Sequence, residues 1–76
     1  MVHAFIMVKT GAGASEEVLA EIRDQSEVTE AHIVAGEWDV ITEVDADEVY
    51  NVLHAASSTI QGLPGVTKTK TYIALG

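Results

Sequence analysis

The chain has no cysteine, one proline and only four basic residues among 76. Each scarcity excludes something. Without cysteine there is no disulfide and no thiolate metal site. A chain this short has a marginal core and needs another staple. The three histidines show no tight ligand spacing, which argues against a metal. Oligomerisation is the expected device that remains. Four cations against twelve acids, a net charge of −8, leave no basic patch to neutralise phosphates, so direct binding of DNA or RNA is not expected. Lys68 and Lys70 form the only local cationic pair. No apolar run reaches the ~18–20 residues of a membrane span. The start, Met1-Val2-His3-Ala4, lacks the basic n-region of a secretory signal. These features and the missing cysteines fit a cytoplasmic home. The acidity also fits a protein kept soluble by net charge at high salt.

Residues 2–10 are rich in apolar and β-branched side chains and predict a first strand. Gly11-Ala12-Gly13-Ala14 breaks it. Ser15 is a candidate N-cap, followed by Glu16 and Glu17 at the positive end of a helix predicted from Ser15 to Gln25. Residues 28–35 and Trp38–Val44 predict a hairpin around Gly36-Glu37. Asp45-Ala46-Asp47-Glu48 reads as a second helix start. Val49, Val52, Leu53, Ala56 and Ile60 follow on one helical face. Gly62 and Pro64-Gly65 end it. Val66–Leu75 is the last strand, with Thr67, Thr69 and Thr71 alternating onto one side.

The order strand, helix, strand, strand, helix, strand is the split βαβ arrangement. The expected fold is α+β and ferredoxin-like, βαββαβ, with a four-stranded antiparallel sheet, two helices on one face, and the first and third strands central. Two helices cover one face only. In the first strand Val2, Ala4, Ile6 and Val8 point one way, and His3, Phe5, Met7 and Lys9 the other. Ala31 and Ile33 oppose His32 and Val34 in the second. Strands apolar on both sides are buried on both sides. Sheets pairing face to face in a C2 homodimer are the simplest closure.

No catalytic constellation emerges. Gly11-Ala12-Gly13-Ala14-Ser15-Glu16 begins like a dinucleotide fingerprint but has glutamate where the third glycine belongs. His3, His32 and His54 fall on a central strand, an edge strand and a helix, so they do not converge. Ser57-Ser58-Thr59 has no relay partner, and Glu16, Glu17 and Glu21 read as a solvated face. Two segments stand out. Gly36-Glu37-Trp38-Asp39 combines a permissive backbone with a carboxylate that would accept from an ammonium group, although Asp39 would equally cap its own turn. Leu63-Pro64-Gly65-Val66 leads into the alternating threonines, which strand propensity alone would also explain.

Val34-Ala35-Gly36-Glu37-Trp38-Asp39-Val40, then Leu63-Pro64-Gly65-Val66 and Thr69-Lys70-Thr71-Tyr72, resemble the effector-binding (RAM-type) domain of the Lrp/AsnC feast/famine transcriptional regulators. Ala4–Lys9 fits that domain's opening strand, and the resemblance spans essentially the whole chain. It implies domains that dimerise through their sheets and assemble into larger rings, often octamers, with a small effector, commonly an amino acid, bound between dimers near the hairpin bend. Carried over by position, the backbone of Val34, Ala35 and Gly36 and the Asp39 carboxylate would hold the effector's polar ends. Thr69 and Thr71 would donate hydroxyls, and Trp38 stands where an aromatic residue often stands. The acidic charge departs from the family pattern.

Family members typically carry an N-terminal helix-turn-helix. This chain opens at the sensor domain, so residues 1–76 are expected to be a single ligand-binding domain, like the stand-alone form. It would act through a partner such as a full-length regulator of the same family. No enzymatic activity and no cofactor are expected. The alternatives are a small enzyme of the dimeric α/β-barrel kind, a monooxygenase or haem-handling protein using His3 or His32, and a purely structural oligomerisation domain.

Overall fold

Four strands pair in the order β2-β3-β1-β4, every neighbour antiparallel, in a computed structural model that describes residues 1–76 apart from the Ser57 side chain. The strands are β1 (Val2–Thr10), β2 (Val28–Ile33), β3 (Val40–Ala46) and β4 (Val66–Ile73). The helix α1 (Ser15–Arg23) follows β1, and α2 (Val49–His54) follows β3 and runs on into a π-helical stretch, Ala55–Ile60. This is the expected βαββαβ fold, with β1 and β3 central.

Several boundaries differ from expectation for identifiable reasons. The helix α1 ends at Arg23 rather than Gln25, and Ala14, not Ser15, is its N-cap. The Ser15 hydroxyl is instead 2.8 Å from the Thr10 hydroxyl, so it joins the helix to the end of β1. The second strand stops at Ile33, and β3 starts at Val40 rather than Trp38. Asp45 and Ala46 belong to β3, because β1 pairs with them (His3 with Asp45, Val2 with Ala46). The Asp45 amide also donates to the Glu27 carbonyl at 3.0 Å. A continued ladder satisfies these backbone groups better than a helix start would. Accordingly α2 opens at Val49 with no acid in its first turn.

The predicted stripe on α2 is only half buried. Val52, Ala56 and Ile60 are buried, whereas Val49 and Leu53 are exposed. Both precede the π-helical stretch, which alters only the spacing of the later residues. Its wider i→i+5 bonding, seen in the 3.0 Å bond from the Gln61 amide to the Ala56 carbonyl, rotates the late residues relative to α-helical spacing. Ala55 then joins Ala56 in the buried set.

One face of the sheet makes the core. Ala4, Ile6, Val8, Val40 and Val44 are fully buried, with Val18, Ile22, Val52 and Ile60 from the helical side. Gly65 ties the far end together. Its carbonyl accepts from the Gly11 amide at 2.9 Å, its φ is 93°, and a Cβ there would lie 2.9 Å from Ala14 Cβ and 3.2 Å from Val18 Cγ2. Only glycine satisfies both the backbone angle and the close approach. The opposite sheet face carries no helix. On it the register lines up Met7 with Ile41, and Phe5 with Tyr72. Acids (Glu30, Glu43, Asp45) lie toward β2 and β3, and Lys68 and Lys70 along β4.

Candidate effector site

The β2–β3 connection is held at its neck and open at its tip. The Val34 amide donates to the Asp39 carbonyl at 2.9 Å, and the Asp39 amide donates to the Val8 carbonyl at 3.0 Å. Beyond this neck Ala35 and Gly36 are exposed. Their amides make no backbone hydrogen bond among the described residues. Gly36 does not use a positive φ, and nothing lies within 4 Å of the position of a Cβ. Its glycine is therefore not required by the fold of the isolated chain.

Asp39 is already engaged. Its Oδ2 accepts from the Thr10 amide at 2.8 Å and from the Thr10 hydroxyl at 3.3 Å. The carboxylate thus caps the end of β1, where the chain leaves the sheet. Thr69 and Thr71 share a face, as their alternation predicts, but it is the helix-covered face: Thr69 pairs with Val8 and Thr71 with Ile6. Val8 in turn pairs with Val40. Thr69 is therefore two strands, about 10 Å, from Val40. Within one chain the two threonines and the hairpin tip do not form one pocket.

What the structure does bring together is Trp38 with residues the motif reading did not select. Lys9, Glu37, Trp38, Thr67 and Lys68 line a hollow of about 360 Å³ beside the hairpin. The Lys68 ammonium lies 5.7 Å from the Trp38 ring centroid, in cation–π range. Lys9 Nζ donates to the Glu37 carbonyl at 2.5 Å. A register shift between Lys9 and Thr10 lets β4 carry an extra residue, Thr67, whose hydroxyl donates to the Lys9 carbonyl at 3.2 Å. Such bulges re-aim side chains at sheet ends. The Lys68–Lys70 pair was visible in the sequence. Lys68 meets Lys9 through the regular β1–β4 register, and only the placing of Thr67 depends on the bulge; no local signal announces either.

The three histidines stay apart. On the open face both ring nitrogens of His3 meet carboxylates, Nδ1 with Asp45 at 2.5 Å and Nε2 with Glu43 at 3.0 Å. Its pKa is raised, chiefly by the Asp45 hydrogen bond and further by Glu43. His32 contacts Glu30, and His54 stacks on Tyr50. Among the described residues no His, Asp or Glu cluster is arranged to hold a metal ion. A second hollow, about 300 Å³, lies along the outer edge of β2. There Arg23 donates to the Ala31 carbonyl at 2.8 Å and blocks part of the open strand edge. Among the described residues no helix is long and apolar enough to cross a membrane.

Comparison with known proteins places this geometry. The family model described as the Lrp/AsnC ligand binding domain matches residues 3–76. The HTH-type transcriptional regulator FL11 of Pyrococcus horikoshii is 32% identical over 75 residues, covering 95% of this chain and 47% of FL11. The proline dehydrogenase transcriptional activator of Rhizobium radiobacter is 31% identical, covering 95% of this chain and 48% of that protein. The chain thus spans about half the length of these curated relatives. The crystal structure of FFRP-DM1 superposes with a TM-score of 0.93 at 36% identity, covering 99% of this chain and 100% of that one. The family match spans nearly the whole fold described above, and the chain belongs to the Lrp/AsnC ligand-binding domain family of transcriptional regulators.

Proposed function

We propose that this domain is an amino-acid-sensing and oligomerisation module that acts on transcription through a partner, without contacting DNA itself. The observation that carries the reading is the uncovered sheet face. Phe5, Met7, Ile41 and Tyr72 form an apolar strip on the side that no helix covers. Monomers rarely leave such a strip on a flat sheet, and a second copy related by C2 symmetry covers it. The family relationship supports a small-molecule effector near the hairpin tip.

In this reading the open amides of Ala35 and Gly36 receive the effector's carboxylate. Thr69 and Thr71, too far from the hairpin tip in one chain, contribute from a neighbouring copy, while Asp39 holds the neck of the hairpin through Thr10. Effector binding then favours the assembly state that brings these groups together, which is the required differential affinity. A full-length regulator of the same family is the natural partner, in the cytoplasm, because the net charge of −8 disfavours phosphate contact by the domain alone.

Calorimetry against the twenty amino acids, with particle mass read in parallel, tests the proposal. One or a few amino acids should give saturable heat and change the mass distribution. No heat together with an unchanged mass would favour a purely structural oligomerisation domain instead.

A further inference from the structure

We propose that the hollow beside Trp38 is an anion subsite, and that the effector of this domain is a small dicarboxylate, acidic amino acids included. The inference rests on the effector reading above and narrows its ligand class.

Three of the chain's four cations, Lys9, Lys68 and Lys70, lie on one corner of the open face. Lys9 and Lys68 are directly opposite each other across β1 and β4. Like charges so placed repel. A chain with twelve acids nevertheless puts no carboxylate on either ammonium: among the described residues every ion pair involves a histidine. The relief present is partial. Lys9 donates to one backbone carbonyl and Lys68 lies over the Trp38 ring. An ammonium has three N–H donors, so both lysines keep donors free for a ligand.

The hollow itself is at the lower end of small-ligand pocket sizes. Trp38 supplies a flat apolar wall. The Thr67 hydroxyl, bonded to the Lys9 carbonyl, offers only lone pairs. Of the acids nearby, Asp39 is committed to Thr10, which leaves the Glu37 carboxylate as the acceptor for a ligand ammonium. Donors for anions therefore exceed acceptors for cations. A ligand with one carboxylate at the Ala35–Gly36 amides and a second between Lys9 and Lys68 matches both sets, whereas a neutral amino acid leaves the lysines unpaired.

Trp38 is the only tryptophan, so its emission reports on the hollow directly. The full chain is titrated at constant ionic strength with glutamate and glutarate, and with glutamine, which lacks the second carboxylate, and glutaramide, which lacks both. The expected result is a saturable emission change with the diacids, at least about tenfold weaker with the amides and about tenfold weaker in Lys68→Gln. Arg23→Gln, an equal charge change at the other side of the molecule, should leave the response intact. Circular dichroism checks that both variants fold. The proposal is overturned by no saturable response up to about 10 mM diacid, by equal responses to acid and amide, or by a Lys68→Gln variant that changes particle mass but not the diacid response. That last outcome would assign the lysines to the acids of a second copy. If the calorimetric screen finds a neutral amino acid while the diacids stay silent, amino-acid sensing stands and the dicarboxylate inference falls. Diacid binding at Trp38 without any change in assembly is the reverse case.

Discussion

The two faces of the sheet are built from the same strands and alternate residues, yet they do different work. On the covered face Ala4, Ile6 and Val8 meet Val40 and Val44 under the helices, all fully buried. On the open face His3, Phe5, Met7 and Lys9 occupy the intervening positions of the same strand, half-buried or exposed. The covered face buries one polar side chain, Thr42, among apolar ones, with Thr69 and Thr71 half-buried toward its β4 edge. The open face sets an apolar strip between acids on one side and lysines on the other. The first composition stabilises a fold; the second specifies partners and ligands.

The comparison breaks most readily on the covered face. Ile6→Ala removes a fully buried side chain from the central strand. It should cost about 3 kcal/mol, a large share of the ~5 kcal/mol typical of a domain this size. Thermal melts should show a strongly lowered midpoint. Gly65→Ala comes next, at about 2 kcal/mol, because it combines a left-handed backbone with a contact to Ala14 and Val18 that cannot be met without movement. Urea unfolding would measure both.

Thr42→Val acts in the opposite direction. The Thr42 hydroxyl is fully buried with no hydrogen-bond partner among the described residues. Replacing it with a methyl group of similar shape should stabilise the chain by about 1 kcal/mol. A destabilised variant would mean that the hydroxyl has a partner.

The smallest effect belongs to His3. Ionised carboxylates only accept, so His3 satisfies both Asp45 and Glu43 only as the imidazolium. Its folded pKa is raised above the ordinary 6.5. Its contribution to stability is therefore complete below about pH 6.5 and is lost as pH climbs through the raised value. Urea midpoints at about pH 6 and pH 9 should differ in the wild type, and this component should vanish in His3→Gln. An unchanged difference in the variant would transfer the pH dependence to another group.

Much of this division was legible in the strands. Alternating apolar residues in Val2–Lys9 exposed two apolar faces, and the element order put β1 and β3 in the centre. The resemblance carried by residues 34–40 and 63–72 led to the family. The finer site was less legible. The helix-side placement of Thr69 and Thr71 and the facing of Lys9 and Lys68 follow from the β1–β4 register, and the position of Thr67 from a bulge. Both are long-range facts with no local pattern. The two signature glycines looked alike in sequence but differ in the fold: Gly65 is required by backbone angle and packing, while Gly36 sits in open space. The π-helical stretch was hidden because its residues satisfy α-helical spacing on paper.

The central claim is that the open face is a meeting surface between copies. Sedimentation velocity on the wild type and on Met7→Glu, which puts a charge in the middle of the apolar strip, tests it most directly. The account predicts a wild-type species at a multiple of the 8.1 kDa chain mass, reduced toward the single chain in the variant with its helical and strand signals retained. A wild type that sediments as a single chain at all concentrations, or a variant that assembles as the wild type does, would contradict it.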